Sequence, residues 1–505
     1  MSQKKAGVML SYINMLLHMG ISIFFTPFLV STLGDAEYGV YRIVQSFAGQ
    51  LSIMTFGVCS IVTRNVAFFD AQNKPKEKEN FLFMALCISA VMAVLVGIAG
   101  SVLYSVTDNV FAQSLTAQEI STAKVLVLIL VINTIFVVLN DGFTGMIIGH
   151  ERFFVARGIK TVRLVLRVVL LVVLLSLGFK SVVIVATDLA LSVLCFTFEV
   201  LYCFLVLKEK VRFHYFDKEL FKTSVVFSFA VLFQALINQA NQNMDSTILG
   251  IMTSPEIVTM YSLALTLYTT YNSFSITIST VFIPQATRMV ATNATSEELT
   301  DLVAYTGRYG LMFAGLILTG FALFGKEFLT LWMGPGYERA YVVALILMIP
   351  MTIPLAQNTC ECILDAKLKR MSQSLILLTS AVINVFVSVA LIPHVGYLGA
   401  AIGTATSVIL GNIIMMNIFY HRSIKLKIGR MFKKIFHKLL FCIIGAYTIG
   451  IPVSMITLPL PTLISFVVKI GIYVVIYGLL LYFGGMNDGE KRQVTSILRK
   501  LHIIR

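Results

Sequence analysis

About fourteen apolar runs, most near or above the ~20 residues that a helix needs to cross a bilayer, succeed one another along this chain of 505 residues. They lie at roughly 8–33, 38–62, 81–105, 119–149, 161–178, 181–207, 222–250, 256–285, 302–325, 339–364, 374–393, 396–420, 437–457 and 462–484, with polar or charged stretches between them. Only 13% of the residues are charged, against ~25% in a soluble domain, too few to coat a water-facing surface of this size. With no water in the hydrocarbon to satisfy backbone groups, each run must form a helix. The pattern predicts an all-α integral membrane protein of about fourteen transmembrane helices.

The basic residues orient it. With the N-terminus inside, the even-numbered loops and the two tails hold 31 of the 39 Lys and Arg. The odd-numbered loops hold only Lys180, Lys326 and Arg339, and Arg42, Lys124, Arg167, Arg308 and Lys469 fall within spans. This positive-inside asymmetry predicts an even number of spans and two cytoplasmic termini. It also accounts for the net charge of +14, which in a soluble domain would point to nucleic acid; no nucleic-acid partner is expected here.

Nothing in the sequence reads as an enzyme. The seven cysteines lie in apolar segments without a CxxC pair, so neither a disulfide framework nor a zinc site is expected. Gly320–Lys326 spells GxxxxGK, but Glu327 stands where a phosphate loop needs Ser or Thr. HExxH and GxSxG are absent, and the longest predicted outer loops, 106–118 and 326–338, are poor in carboxylates. The sequon at Asn293 falls in a predicted cytoplasmic loop.

A weak internal repeat relates spans 1 and 2 to spans 7 and 8, with Glu37 and Glu256 each just ahead of a tyrosine-bearing stretch and Arg64 and Arg288 at the inner ends. Parallel repeats about an axis normal to the membrane give two six-helix lobes: residues 1–207 as an N-lobe, 208–420 as a C-lobe, and 421–505 as a basic loop, two C-terminal helices and a tail. Polar residues recur at helical spacing on the same four spans. Span 1 carries Ser11, Asn14, His18 and Ser22; span 2 carries Arg42, Gln45, Gly49 and Ser52; span 7 carries Gln234, Asn238, Asn241, Gln242 and Asp245; span 8 carries Thr266, Thr269, Thr270, Ser273, Thr277 and Thr280. Residues three and four apart share a helix face, and such faces must meet protein or water rather than lipid. They are either interhelical glue or the wall of a hydrated cavity. In the second reading Asn14, His18, Arg42, Gln45, Gln234, Asn238, Asn241, Gln242, Thr269, Ser273 and Thr277 contact a polar substrate, and Arg42 with Asp245 forms a gate near the outer ends of spans 2 and 7.

The stretches "SYINMLLHMGISIFFTPFLVSTLGDAEYGVYRIVQSF", "FGVCSIVTRNVA", "NQNMDSTILG", "LWMGPGYERA" and "LIPHVGYLGAAIGTATSVI" resemble the polysaccharide-transporter branch of the multidrug/oligosaccharidyl-lipid/polysaccharide flippase superfamily. The run Pro27, Leu33-Gly34, Tyr38-Gly39, Tyr41 is the most specific part of that resemblance. Ser246 stands where the branch usually has Arg or Lys. The resemblance implies a bacterial inner-membrane flippase for O-antigen, capsule or exopolysaccharide repeat units linked to undecaprenyl diphosphate. It also implies alternating access, no cofactor, coupling to a proton or sodium gradient in some members, and a polysaccharide polymerase and chain-length regulator as partners beside membrane lipids. A lipid II or sporulation-type flippase is the nearest competing expectation, although such cavities are richer in Arg on spans 1, 2 and 8; a cation-coupled drug antiporter and a membrane glycosyltransferase or polymerase follow.

Overall fold

A computed structural model describes residues 3–52, 57–215, 239, 244–280, 282–367, 370–456, 459–492 and 495. All of its regular structure is helical among the described residues. In chain order the helices are α1 (Gln3–Leu33), α2 (Asp35–Ser52), α3 (Val58–Ala71), α4 (Pro75–Phe111), α5 (Ala117–Gly149), α6 (Phe153–Ser176), α7 (Ser181–Leu201, continued by a π-helical turn Tyr202–Val206), α8 (Pro255–Thr280) and α9 (Ile283–Ala291). They continue with α10 (Ser296–Met333), α11 (Arg339–Ala356), α12 (Thr359–Ala366), α13 (Arg370–Val395), α14 (Tyr397–Ser407), α15 (Met416–Ile424), α16 (Ile428–Phe436), α17 (Leu439–Met455) and α18 (Thr462–Leu480). A further helical stretch covers 244–252. Nine helices among the described residues are long and apolar enough to cross a membrane, and 22–44% of each crossing window is buried within the protein. The rest is apolar and outward, as with Phe24 (82% exposed) and Phe441 (80%), which is the inverse of a soluble surface and suits lipid.

Several predicted spans are divided. The second is interrupted at Gly57, whose left-handed φ of 64° precedes α3. The tenth, expected as one run over 339–364, stops at Ala356. Pro350 and Pro354 lie within α11, where proline removes a backbone donor, and Gln357 Nε2 just beyond donates to Asn417 Oδ1 at 2.8 Å. Spans three and nine are longer than their apolar runs. α4 has 37 residues, with Pro75 at its first turn, and α10 has 38, opened by a capping box between Thr295 and Glu298. At 1.5 Å per residue both exceed the ~30 Å hydrocarbon and carry charged turns beyond it. Thr295, part of the apparent sequon, thus serves as a helix cap.

The chain forms two compact units, Met1–Ser262 with Ile392–Tyr397, and Leu263–Leu391 with Leu398–Arg505. In the first, α5 packs against α3, α4 and α7, and α1 against α6. The start of α8 meets α2 closely: Thr259 Oγ1 donates to the Asp35 carbonyl at 2.7 Å, and a Cβ on Gly39 would stand 2.0 Å from the Pro255 oxygen. Because the obstacle is backbone, Gly39→Ala should cost about 1–3 kcal/mol or more, read as a lower thermal midpoint in detergent; an unchanged midpoint would mean that α2 and α8 are not in contact.

At one end of this unit, Lys78 Nζ lies 2.7 Å from Asp70 and 2.9 Å from Glu209, and His150 lies 3.2 Å from Asp70 and 2.5 Å from Glu209. Burial would raise the Glu209 carboxyl, but hydrogen bonds from His150 and Lys78 outweigh it and hold the group below its ordinary value. A carboxyl depressed on folding stabilises the fold above the unfolded value of ~4.3 and loses that contribution as pH falls through the folded value. Glu209→Gln should therefore lower stability at pH 7 by about 1–3 kcal/mol and flatten the acid limb of a stability–pH profile. Parallel acid limbs for variant and wild type would show the cluster to be inert.

In the second unit α10 is the axis, packed by α11, α16, α17 and α18. Lys469 places Nζ 2.9 Å from both oxygens of Glu327. Arg308 and Glu490, each with a side chain only 4% exposed, form a buried pair at 2.6 Å. Gly320–Lys326 lies inside continuous α10, so it has no loop with which to cradle a phosphate.

Candidate polar sites of the membrane-spanning helices

In the first unit, α2 and the stretch 244–252 share a polar seam. Ser46 and Thr247 join hydroxyls at 2.9 Å, Gln50 Nε2 donates to Thr247 Oγ1 at 2.9 Å, and Gly250 lets Ile43 approach. Arg42 sits one turn before Ser46. Its Nη1 donates to Gln45 Oε1 at 3.1 Å, while its buried Nε has no hydrogen-bond partner. A guanidinium offers five donors, so this one has unspent capacity for an anion. Buried Asp245 accepts the Tyr261 hydroxyl at 2.5 Å. No ion pair joins Arg42 to Asp245 among the described residues; each has its own partner. Glu37 accepts both the backbone N–H (2.8 Å) and the hydroxyl (2.7 Å) of Ser181 at the start of α7, as an acid at a helix N-terminus should.

A second constellation, unread in the sequence, runs between α5, α6 and α7. Arg167 holds Asp188 through two bonds of 2.5 and 3.0 Å. One turn on, Arg163 Nη2 donates to Ser192 Oγ at 2.7 Å, and Ser192 to Asn133 Oδ1 at 2.6 Å. Next comes a cavity of about 140 Å³ lined by Asn140, Asp141, Thr144, Lys160, Arg163 and Glu199 among others. There Thr144 Oγ1 donates to Glu199 at 2.5 Å. Asp141 has no hydrogen-bond or ion-pair partner among the described residues, and the buried Asn140 Oδ1 is also unpaired. The signal was present: Lys160, Arg163 and Arg167 follow helical spacing, as do Asp188, Ser192, Cys195 and Glu199. Hydropathy puts Arg167 well inside a predicted span, Arg163 at its edge and Lys160 just ahead of it.

The remaining candidates are dispersed. Asn14 Nδ2 donates to the Arg157 carbonyl at 3.3 Å, and His18 is exposed on α1. α1 and α6 also bound an apolar groove of about 610 Å³ that includes Leu17, Phe24, Phe28 and Val172. Thr269 and Ser273, on the part of α8 in the second unit, donate to their own helix at Thr266 O (3.0 Å) and Thr269 O (2.9 Å). Gln234, Asn238, Asn241 and Gln242 lie outside the described residues, as does the side chain of Thr277.

The model of the family described as polysaccharide biosynthesis protein matches residues 5–290. The chain belongs to that family. It is 24% identical over 428 residues to the uncharacterized membrane protein EpsK of Bacillus subtilis (strain 168), covering 81% of each chain. Among solved structures, it resembles the lipid II flippase MurJ in an inward closed conformation, with a TM-score of 0.73, 14% identity, and coverage of 94% of this chain and 98% of that one. An inward-facing multidrug resistance MATE transporter of the MOP superfamily gives a TM-score of 0.62 at 13% identity, over 81% of this chain and 96% of that one. The fold is like that of these membrane transporters, and the family match agrees with the resemblance that the sequence motifs carry.

Proposed function

We propose that this protein is a flippase that carries undecaprenyl-diphosphate-linked oligosaccharide repeat units from the cytoplasmic to the outer leaflet of a bacterial inner membrane, by alternating access, with both termini cytoplasmic. What carries the reading is the polysaccharide biosynthesis family match laid on a fold shared with a lipid flippase. The chemistry supports it. The unspent guanidinium of Arg42 suits a diphosphate, amide and hydroxyl faces suit sugar, and the apolar groove on α1 suits a prenyl chain. A polysaccharide polymerase and a chain-length regulator would act on the delivered units. The likeness to the lipid II flippase shows fold alone, so lipid II transport is the competing outcome of the test.

Transport against a gradient needs a coupling ion, and the cavity holding Asp141 and Glu199 is our site for a proton or sodium ion. Ionisable groups within a membrane span are costly and serve ion pathways by default, and Arg163 and Lys160 are the cations facing them. In cells that make one defined surface polysaccharide, deletion of the protein should abolish surface polymer and accumulate lipid-linked repeat units on the cytoplasmic leaflet. Glu199→Gln should leave insertion normal and export insensitive to a protonophore or to sodium removal. Normal surface polymer in the deletion strain, or peptidoglycan failure instead, would reject the substrate.

A further inference from the structure

The second unit carries a cavity of about 660 Å³ that the transport reading does not use. Tyr305, Arg308, Lys433, Lys434, His437 and Glu490 are among its walls. It lies beside α16, a nine-residue helix that follows the candidate span Tyr397–Ile424 and forms the charged start of the next, Ile428–Met455, whose apolar remainder is α17. With Arg430, Lys433 and Lys434 within nine residues, α16 belongs at the headgroup end of that span and not in the hydrocarbon. Its sequence IGRMFKKIF is amphipathic: Met431 and Ile435 are fully buried, and the Phe432 and Phe436 rings stack at 5.8 Å. The opposite face is basic, the composition of a helix that lies on anionic lipid.

Charge accounting shows what the cavity lacks. Arg430 and Lys434 share Asp301, at 3.0 and 2.7 Å. Arg430 also shares Glu297, at 3.0 Å, with Lys427. Glu490 is taken up by Arg308 at 2.6 and 3.0 Å and by the Asn487 N–H at 2.8 Å. The carboxylates are spent, while the side chains of Lys433 and His437 have no ion-pair or hydrogen-bond partner among the described residues. The floor is rigid, because Arg308 ties α10 to the carbonyls of Lys434 and His437. A cavity this large, with cations to spare at the level of lipid headgroups, fits a phosphate on a glycerol-sized stem.

We propose that this cavity binds the headgroup phosphate of an anionic membrane phospholipid, with Lys433 and His437 as its principal contacts. The membrane supplies that phosphate at far higher local concentration than solution does, which favours lipid over a soluble anion. The test uses the full chain purified in neutral detergent, with phosphatidylglycerol, phosphatidylcholine or inorganic phosphate added. Thermal midpoint and bound lipid (native mass spectrometry) are recorded. Phosphatidylglycerol should raise the midpoint and remain bound, and phosphatidylcholine should not. The double variant Lys433→Glu, His437→Glu should weaken half-saturation by phosphatidylglycerol roughly tenfold, whereas Lys210→Glu, an exposed control in the other unit, should not. Because neither altered side chain makes a hydrogen bond or ion pair among the described residues and both are exposed, the variant should fold; Lys433→Ala with His437→Ala, a milder pair, should show the same loss in smaller measure. Equal response to the two lipids, full binding by both double variants, or an equal midpoint shift from inorganic phosphate would overturn the proposal.

Discussion

Arg308→Ala should be the most damaging single change in the second unit, lowering the free energy of unfolding by ~3–5 kcal/mol. The guanidinium makes two bonds to Glu490 and further bonds to the carbonyls of Lys434 (3.0 Å), His437 (3.0 Å) and Gly485 (2.8 Å). Those carbonyls close the end of α16 and the π-helical turn Leu481–Gly485 that follows α18, where a helix leaves acceptors without internal partners. Truncation strands a buried carboxylate and several carbonyls together. Arg308→Lys keeps the charge but cannot fork, so it should recover only part of the loss. A paired Arg308→Met, Glu490→Met variant should be less damaged than the single alanine, since removing both charges removes the stranded one. Thermal denaturation in detergent reads all of these. A midpoint for Arg308→Ala within error of wild type would show that the pair does not hold α10, α16 and the C-terminal segment together.

Arg42→Ala should reduce export without reducing stability. Among the described residues no carboxylate pairs with Arg42, and its one hydrogen bond goes to neutral Gln45, so little is stranded by its loss. A charge-assisted hydrogen bond contributes about 1.5–3 kcal/mol, which converts to roughly 10–100-fold in transport rate if the contact is to a diphosphate in the rate-limiting state. Arg42→Lys keeps a point charge but loses bidentate geometry, and should fall between. The sequence reading of Arg42 and Asp245 as a gate adds a further expectation. If the two form a gate, cysteines placed at these positions should crosslink in one transport state; in this structure Asp245 instead accepts from Tyr261. If Arg42→Ala exports normally, its open donors serve no substrate.

Much of the architecture was readable because a bilayer imposes one solution on an apolar run. The all-α fold follows from hydropathy, and the family from motifs that the family match supports. Interruptions were less legible. Pro350 and Pro354 announce the end of α11, but the break around Gly57 depends on a left-handed backbone that glycine permits without demanding. The charged first turns of α4 and α10 were read as loops, because hydropathy marks where the hydrocarbon ends and not where a helix ends. The polar residues divided in an instructive way. Tyr38, Gly39 and Tyr41, the most family-specific run, are buried packing residues, and Gly39 is there because Pro255 leaves no room for a Cβ. The ladder from Arg167 to Glu199 was missed because its charges are spread over three helices and only their juxtaposition makes a site.

The most direct test of the central claim is reconstitution. The purified protein is placed in proteoliposomes with undecaprenyl-diphosphate-linked oligosaccharide, and exposure of the glycan to an impermeant glycosidase or lectin is followed with and without an ion gradient. The account predicts glycan crossing that requires the wild-type protein, accelerates with the gradient, and drops at least tenfold with Arg42→Ala. Crossing at the rate of protein-free vesicles, alongside brisk movement of lipid II by the same preparation, would contradict it.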